Sequence, residues 1–262
     1  MLGSYVDQLF TAIYFTTDAF AAYFLVSKIT RNVYDVIASI RSGVLPTLSY
    51  FIGEEEKEEK VFKLFLKFMI LVASLPFLIA SLYSDLIIKI LLTPQFYKES
   101  FTLSLLFIAA FFAFVKMVLY YMALSKGYVR FLPVITSISL VSRISFMFIL
   151  SIFGSVGIAI ANMFAEFISI VIFYLKYNEL IKIERIFLIK LLFLSSITYY
   201  IACFLKTGTI LMDLFFAALT GGFYLVGLGV IKTLKIDEIE YLIKTRNRFL
   251  VIIGKIFKKL WF

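Results

Sequence analysis

The sequence predicts an all-α, polytopic bundle of about eight membrane-spanning helices, and three observations predict it. Of 262 residues, 62% are hydrophobic and the mean hydropathy is +1.00. A water-soluble domain cannot cover that much apolar surface, so hydrocarbon is the expected solvent. The apolar blocks are uniformly apolar and about twenty residues long, whereas a spanning strand alternates in polarity over about ten. Lysine and arginine, finally, are partitioned between alternate connections, as topology in a membrane requires.

The expected spans follow in order. Residues 2–17 form a short first span containing Asp7, and residues 22–50 a long second one. The opening "MLGSYVDQLF" lacks the cationic segment and cleavage site of a signal peptide, so the first span is expected to begin almost at once. The charge run "GEEEKEEK" (53–60) reads as a solvated loop entering the third helix, where acids suit a helix N-terminus. The third span covers 61–83, with Pro76 as a kink because proline removes a backbone donor. A less apolar piece, "SDLIIKILLTPQFYKES", leads to the fourth span, 101–124. Spans at 129–153, 156–175, 186–205 and 209–231 complete the set, which makes 1–231 a single helical domain. Residues 232–262 form a basic amphipathic tail able to lie on the membrane surface.

Counting Lys and Arg over these connections puts 18 on one side, including eight in the tail, and 3 on the other (Lys89, Lys98 and Lys206). The richer side is assigned to the cytoplasm, with both termini there and the chain a multi-pass protein of the cell membrane. The net charge of +9 then reflects topology and anionic headgroups, and no nucleic-acid partner is expected.

Composition also limits the chemistry. There is no histidine and a single cysteine, Cys203, inside an apolar run. That removes an internal disulfide framework, the usual His/Cys zinc sites and a histidine general base. No metal, cofactor or catalytic residue is expected, and the chain is read as a non-enzyme.

The informative stretch is "LVSKITRNVYDVIASIRSG" (25–43), which places Lys28, Arg31, Asp35 and Arg41 in one apolar helix. At about 100° per residue, Lys28, Arg31, Asn32, Asp35, Ser39 and Ser42 share a sector about 100° wide, while Arg41 lies opposite, near the headgroups. A surface helix or a self-neutralising Arg31–Asp35 pair is the simpler reading. Each charge at mid-bilayer costs about 2.5–3.5 kcal/mol, however, so several on one face argue for a wet cavity. With Asp35 paired the face keeps a positive charge, which suits an anionic ligand. Two further charges, Arg143 and Glu166, flank the turn "GSVG" at depths that agree within roughly 3 Å, the spacing of an intramembrane ion pair. Asn162, Glu166 and Ser169 share a face at i, i+4, i+7. Lys116 and Asp213 read as isolated charges that snorkel to the nearer surface.

The order of these features resembles the polysaccharide-biosynthesis flippases of the multidrug/oligosaccharidyl-lipid/polysaccharide exporter superfamily. An Asp in a span, a short turn, "AAYFLVSKI", a long helix and "LPTLSYF" are similar to their seventh and eighth helices. "LLTPQFYKESFTLSLLFIAAFF", "YYMALSKGYVRFLPVITS" and "GSVGIAIANMFAEFISIVIFY" resemble the next four in the same order. The resemblance implies that these spans are helices seven to fourteen of a two-lobed flippase, the C-terminal half of an alternating-access machine for lipid-linked oligosaccharides. It implies a lipid-linked anionic oligosaccharide as substrate, with Lys28 where the family often has a phosphate-binding basic residue. Arg31 joins it from the wheel, and Asn32, Asp35 and Ser39 line the same cavity. Asp7 matches an acidic residue of the seventh helix, with no defined role. The family's first lobe has no counterpart here, so a separate N-terminal half or a second copy is an expected partner. A cation-coupled drug exporter of the same superfamily and a polytopic membrane glycosyltransferase or polymerase are the competing functions.

Overall fold

The computed structural model describes residues 3–39, 55–177 and 185–231, together with 255 and 258. Every regular element among them is helical: α1 (Gly3–Tyr14), α2 (Thr17–Ala38), α3 (Glu55–Leu82), α4 (Ser84–Leu91), a 3₁₀ turn (Pro94–Glu99), α5 (Ser100–Ser125), α6 (Leu132–Leu150), a second 3₁₀ turn (Ser151–Phe153), α7 (Gly154–Lys176), α8 (Arg185–Leu205) and α9 (Ile210–Val230).

Five helical stretches among the described residues are long and apolar enough to cross a membrane: Lys60–Leu82, Pro94–Ser125, Leu132–Lys176, Ile186–Leu205 and Ile210–Val230. The third of them holds both α6 and α7, which fold back on each other at Gly154, where φ is +62°. The described residues therefore do not confirm the expected count of about eight. With 12 residues, α1 extends only about 18 Å, short of a hydrocarbon core of about 30 Å. It stops at Phe15, and α2 starts afresh at Thr17, capped by the Thr16 hydroxyl, which accepts the Ala19 N–H at 3.4 Å. Carrying Asp18, Lys28, Arg31 and Asp35 in 22 residues, α2 is too charged to count as an apolar span. The end of the expected second span, with Arg41, Ser42 and "LPTLSYF", lies outside the described residues, as does the tail apart from Lys255 and Lys258.

The bundle is organised around α5. This helix is apolar on all sides, as a helix surrounded by other helices should be. It packs against α3 on one flank and α7 on another, with α2 and α4 also touching it. Phe107, Phe114 and Met122 of α5 meet Phe65, Met69 and Phe77 of α3 in one buried cluster. Pro76 sits inside α3 without ending it. The less apolar piece between α3 and α5 becomes α4, followed by the 3₁₀ turn. Pairing mainly with each other, α8 and α9 also lean on α3, with α9 touching α4 as well. Their outward side chains are apolar, including Phe204 at 87% exposure, an exterior suited to hydrocarbon.

Gly157 sets the closeness of the α6–α7 hairpin. A Cβ built there would lie 1.8 Å from the backbone oxygen of Leu150, so only glycine fits the turn.

Candidate functional site

Two polar assemblies stand out in this apolar bundle, and α7 builds the first. Asn162, Glu166 and Ser169 recur at i, i+4, i+7, and all three point into the bundle and are buried. Ser169 satisfies itself by donating to the Ala165 carbonyl at 2.8 Å. Asn162 and Glu166 instead reach other helices.

Around Asn162 lies a triangle with α1 and α2. The Tyr23 hydroxyl donates to Asp7 Oδ2 at 2.9 Å, and Asn162 Nδ2 donates to the same hydroxyl at 3.0 Å and to Asp7 Oδ2 at 3.4 Å. All three side chains are buried, Tyr23 completely. Asp7 Oδ1 and Asn162 Oδ1 are buried acceptors without a hydrogen-bond partner. A carboxylate oxygen in that condition is costly in an apolar interior.

One turn along α7, Glu166 is shared by two cations. Arg143 Nη2 of α6 meets Oε1, and Lys116 Nζ of α5 meets Oε2. Side-chain exposure is 6% for Glu166, 12% for Arg143 and 26% for Lys116. The three come from near the middle of their helices, so the ionic group sits deep in the bundle. The sequence expectation that Lys116 snorkels alone is thereby corrected: α5 lies close enough to α7 for the ammonium to reach Glu166. With Asp7 ionised, the two carboxylates and two cations cancel, leaving a buried polar column of no net charge across α1, α2, α5, α6 and α7.

Asp213 is also corrected. It is buried in the first turn of α9 and accepts the Thr207 N–H at 2.8 Å and the Thr207 hydroxyl at 3.1 Å. It holds the α8–α9 turn together instead of snorkelling. The same end is pinned by the Lys206–Asp85 ion pair at 2.8 Å and by Lys89, which donates to the Gly208 carbonyl at 3.2 Å.

The second assembly is the outer face of α2. Ala22, Tyr23, Val26, Thr30, Ile37 and Ala38 turn inward, and this side of α2 packs on α5. The opposite face presents Lys28, Asn32, Asp35 and Ser39, all exposed. Ser39 Oγ turns back to the Val36 carbonyl at 2.7 Å. Arg31 is half-buried, its guanidinium 4.8 Å from the centre of the Tyr5 ring on α1, a cation–π contact. Lys28 thus lies within one exposed polar strip with Arg31 at its edge, and Asp7 faces the other way, into the triangle. Tyr23 joins the two assemblies, since it lies on the inward side of the helix that carries the strip.

Sequence reasoning paired Arg143 with Glu166 in depth and placed Asn162 on the Glu166 face. It missed Tyr23, for one tyrosine among sixteen in an apolar chain carries no signal of its own. It also missed Lys116 as a partner, because no periodicity links α5 to α7 across fifty residues. No family model, curated protein or solved structure matches this chain.

Proposed function

We propose that the chain is one wall of a membrane path for a lipid-linked, anionic oligosaccharide, which it moves across the bilayer by alternating access. The observation that carries this reading is the exposed strip of α2, where Lys28 lies among Asn32, Asp35 and Ser39 with Arg31 at the edge, on a helix whose other face is packed in an apolar bundle. Charged residues that face outward from a membrane bundle demand water or a partner. A cationic strip beside hydroxyl and amide groups suits a phosphate with a sugar attached. Alternating access needs a facing wall, supplied by another polypeptide, a second copy or a further part of a longer chain. The test is export of surface polysaccharide in cells carrying Lys28→Ala or Arg31→Ala. The expected outcome is loss of export with unchanged amounts of folded protein. Normal export in both variants would remove the strip from the mechanism.

A cation-coupled exporter is the second reading, favoured by the buried Asp7 and Asn162 acceptors that lack hydrogen-bond partners. It predicts that Asp7→Asn uncouples transport from an imposed ion gradient while substrate binding survives. Transport indifferent to that gradient in the wild type would discard it.

A further inference from the structure

We infer that the α5–α6 turn and the adjoining end of α7 form a site for the headgroup of an anionic phospholipid. The turn is made by Gly127, with φ +77°, and brings a cluster of rings against α7. Tyr128 lies 5.3 Å from Tyr177 and Phe131 lies 6.4 Å from it, edge-on. Two ammonium groups rest on ring faces here. Lys176 Nζ is 5.1 Å from the Phe131 centroid, and Lys126 Nζ is 5.1 Å from that of Phe62. Arg130, adjacent to Phe131, is exposed. Neither Arg130 nor Lys176 meets a carboxylate among the described residues.

Lys126 caps α5 and Lys176 closes the last turn of α7, where cations complement the helix dipole. That accounts for those two positions but not for Arg130, which stands between helices. What lies beneath Arg130 points to a lipid. Val134, Ile138 and Val141 are exposed at i, i+4, i+7 and make an apolar stripe down α6 that starts one turn from Arg130. Tyr128 and Val129, also exposed, sit at the head of the stripe, at the level where aromatic rings meet headgroups. A phospholipid lying along α6 would place acyl chain on the stripe and phosphate at Arg130 and Lys176. Free phosphate would have use for the cations alone. Basic pockets at the cytoplasmic ends of helices bind anionic lipids in this way, and the lysine and arginine count assigns this end to the cytoplasm.

The test is native mass spectrometry of the purified full chain titrated with phosphatidylglycerol or phosphatidylcholine. Each cation near an anionic lipid surface is worth about fivefold in affinity, so Arg130→Gln with Lys176→Gln should weaken phosphatidylglycerol binding by about thirtyfold. Lys98→Gln, an exposed cation at the other end of α5, should leave it unchanged. The single Arg130→Gln variant alters an exposed turn and no helix contact, so it reads the site even where the double variant folds poorly. It should lose about fivefold, and Arg130→Lys should recover most of that. Equal retention of the two lipids, wild-type affinity in Arg130→Gln, or displacement by excess inorganic phosphate would each overturn the assignment.

Discussion

Replacing Glu166 with leucine removes the carboxylate that meets both Arg143 and Lys116 and leaves two cations deep in the bundle. Arg143 cannot escape easily: its side chain is 12% exposed and it lies near the middle of α6. Lys116 is 26% exposed and on a flexible stem, so part of its cost is relieved by reaching outward. Removing one partner of a buried pair costs about 3–5 kcal/mol, and a lone arginine at mid-bilayer costs about 2.5–3.5 kcal/mol on insertion scales. With Lys116 discounted, Glu166→Leu should destabilise the fold by about 3–4 kcal/mol. Replacing all three by apolar residues of similar volume, Lys116→Met, Arg143→Met and Glu166→Leu together, should be clearly more stable than Glu166→Leu alone, since both buried cations are then gone and Asp7 is the one charge of the column that stays. The assay is unfolding in mixed micelles with increasing sodium dodecyl sulfate, followed by near-ultraviolet tyrosine dichroism. A loss below about 1 kcal/mol in the single variant, or a triple variant no better than the single one, would refute the reasoning.

Other consequences follow from the same geometry. Tyr23→Phe removes the donor to Asp7 and the acceptor for Asn162, and should cost about 1.5–3 kcal/mol in the same unfolding assay, as expected for a hydrogen bond to a charged group. Gly157→Ala drives a Cβ into the Leu150 carbonyl, so about 3 kcal/mol should be lost and the hairpin cross-link between α6 and α7 cysteines should form less readily. Asp213→Ala should cost about 1 kcal/mol, the usual worth of a lost side-chain cap, with faster hydrogen exchange at Thr207. On the proposed function, Lys28→Ala should abolish transport, and it should leave the unfolding midpoint where it was, because the side chain is exposed on the outer strip of α2.

The helical class was legible because length and apolarity act on every residue of a span, as α5 and α9 show. The number of crossings was less so. The break between the first two helices was legible, but hydropathy did not show that α1 is too short and α2 too charged to count as apolar spans among the described residues. Arg143 and Glu166 could be related from sequence because both are measured from one turn, and a helix rise of about 1.5 Å per residue converts position into depth. Lys116 and Tyr23 could not, since helices far apart in sequence become neighbours only through packing around α5. The exposed strip was legible for the opposite reason: it depends on the periodicity of α2 alone.

Whether that strip is wet decides the matter, because Asn32 and Phe193, near the middle of α8, are both exposed on the bundle and differ in the solvent expected there. The direct measurement replaces Cys203 by alanine and then compares Asn32→Cys with Phe193→Cys for reaction with a charged, membrane-impermeant maleimide in intact membranes. The thiolate is the reactive form and requires water. A wet strip gives rapid labelling at position 32, slowed by added lipid-linked anionic oligosaccharide, and negligible labelling at position 193. Labelling at position 32 as slow as at position 193 would put α2 against hydrocarbon and overturn the proposed function.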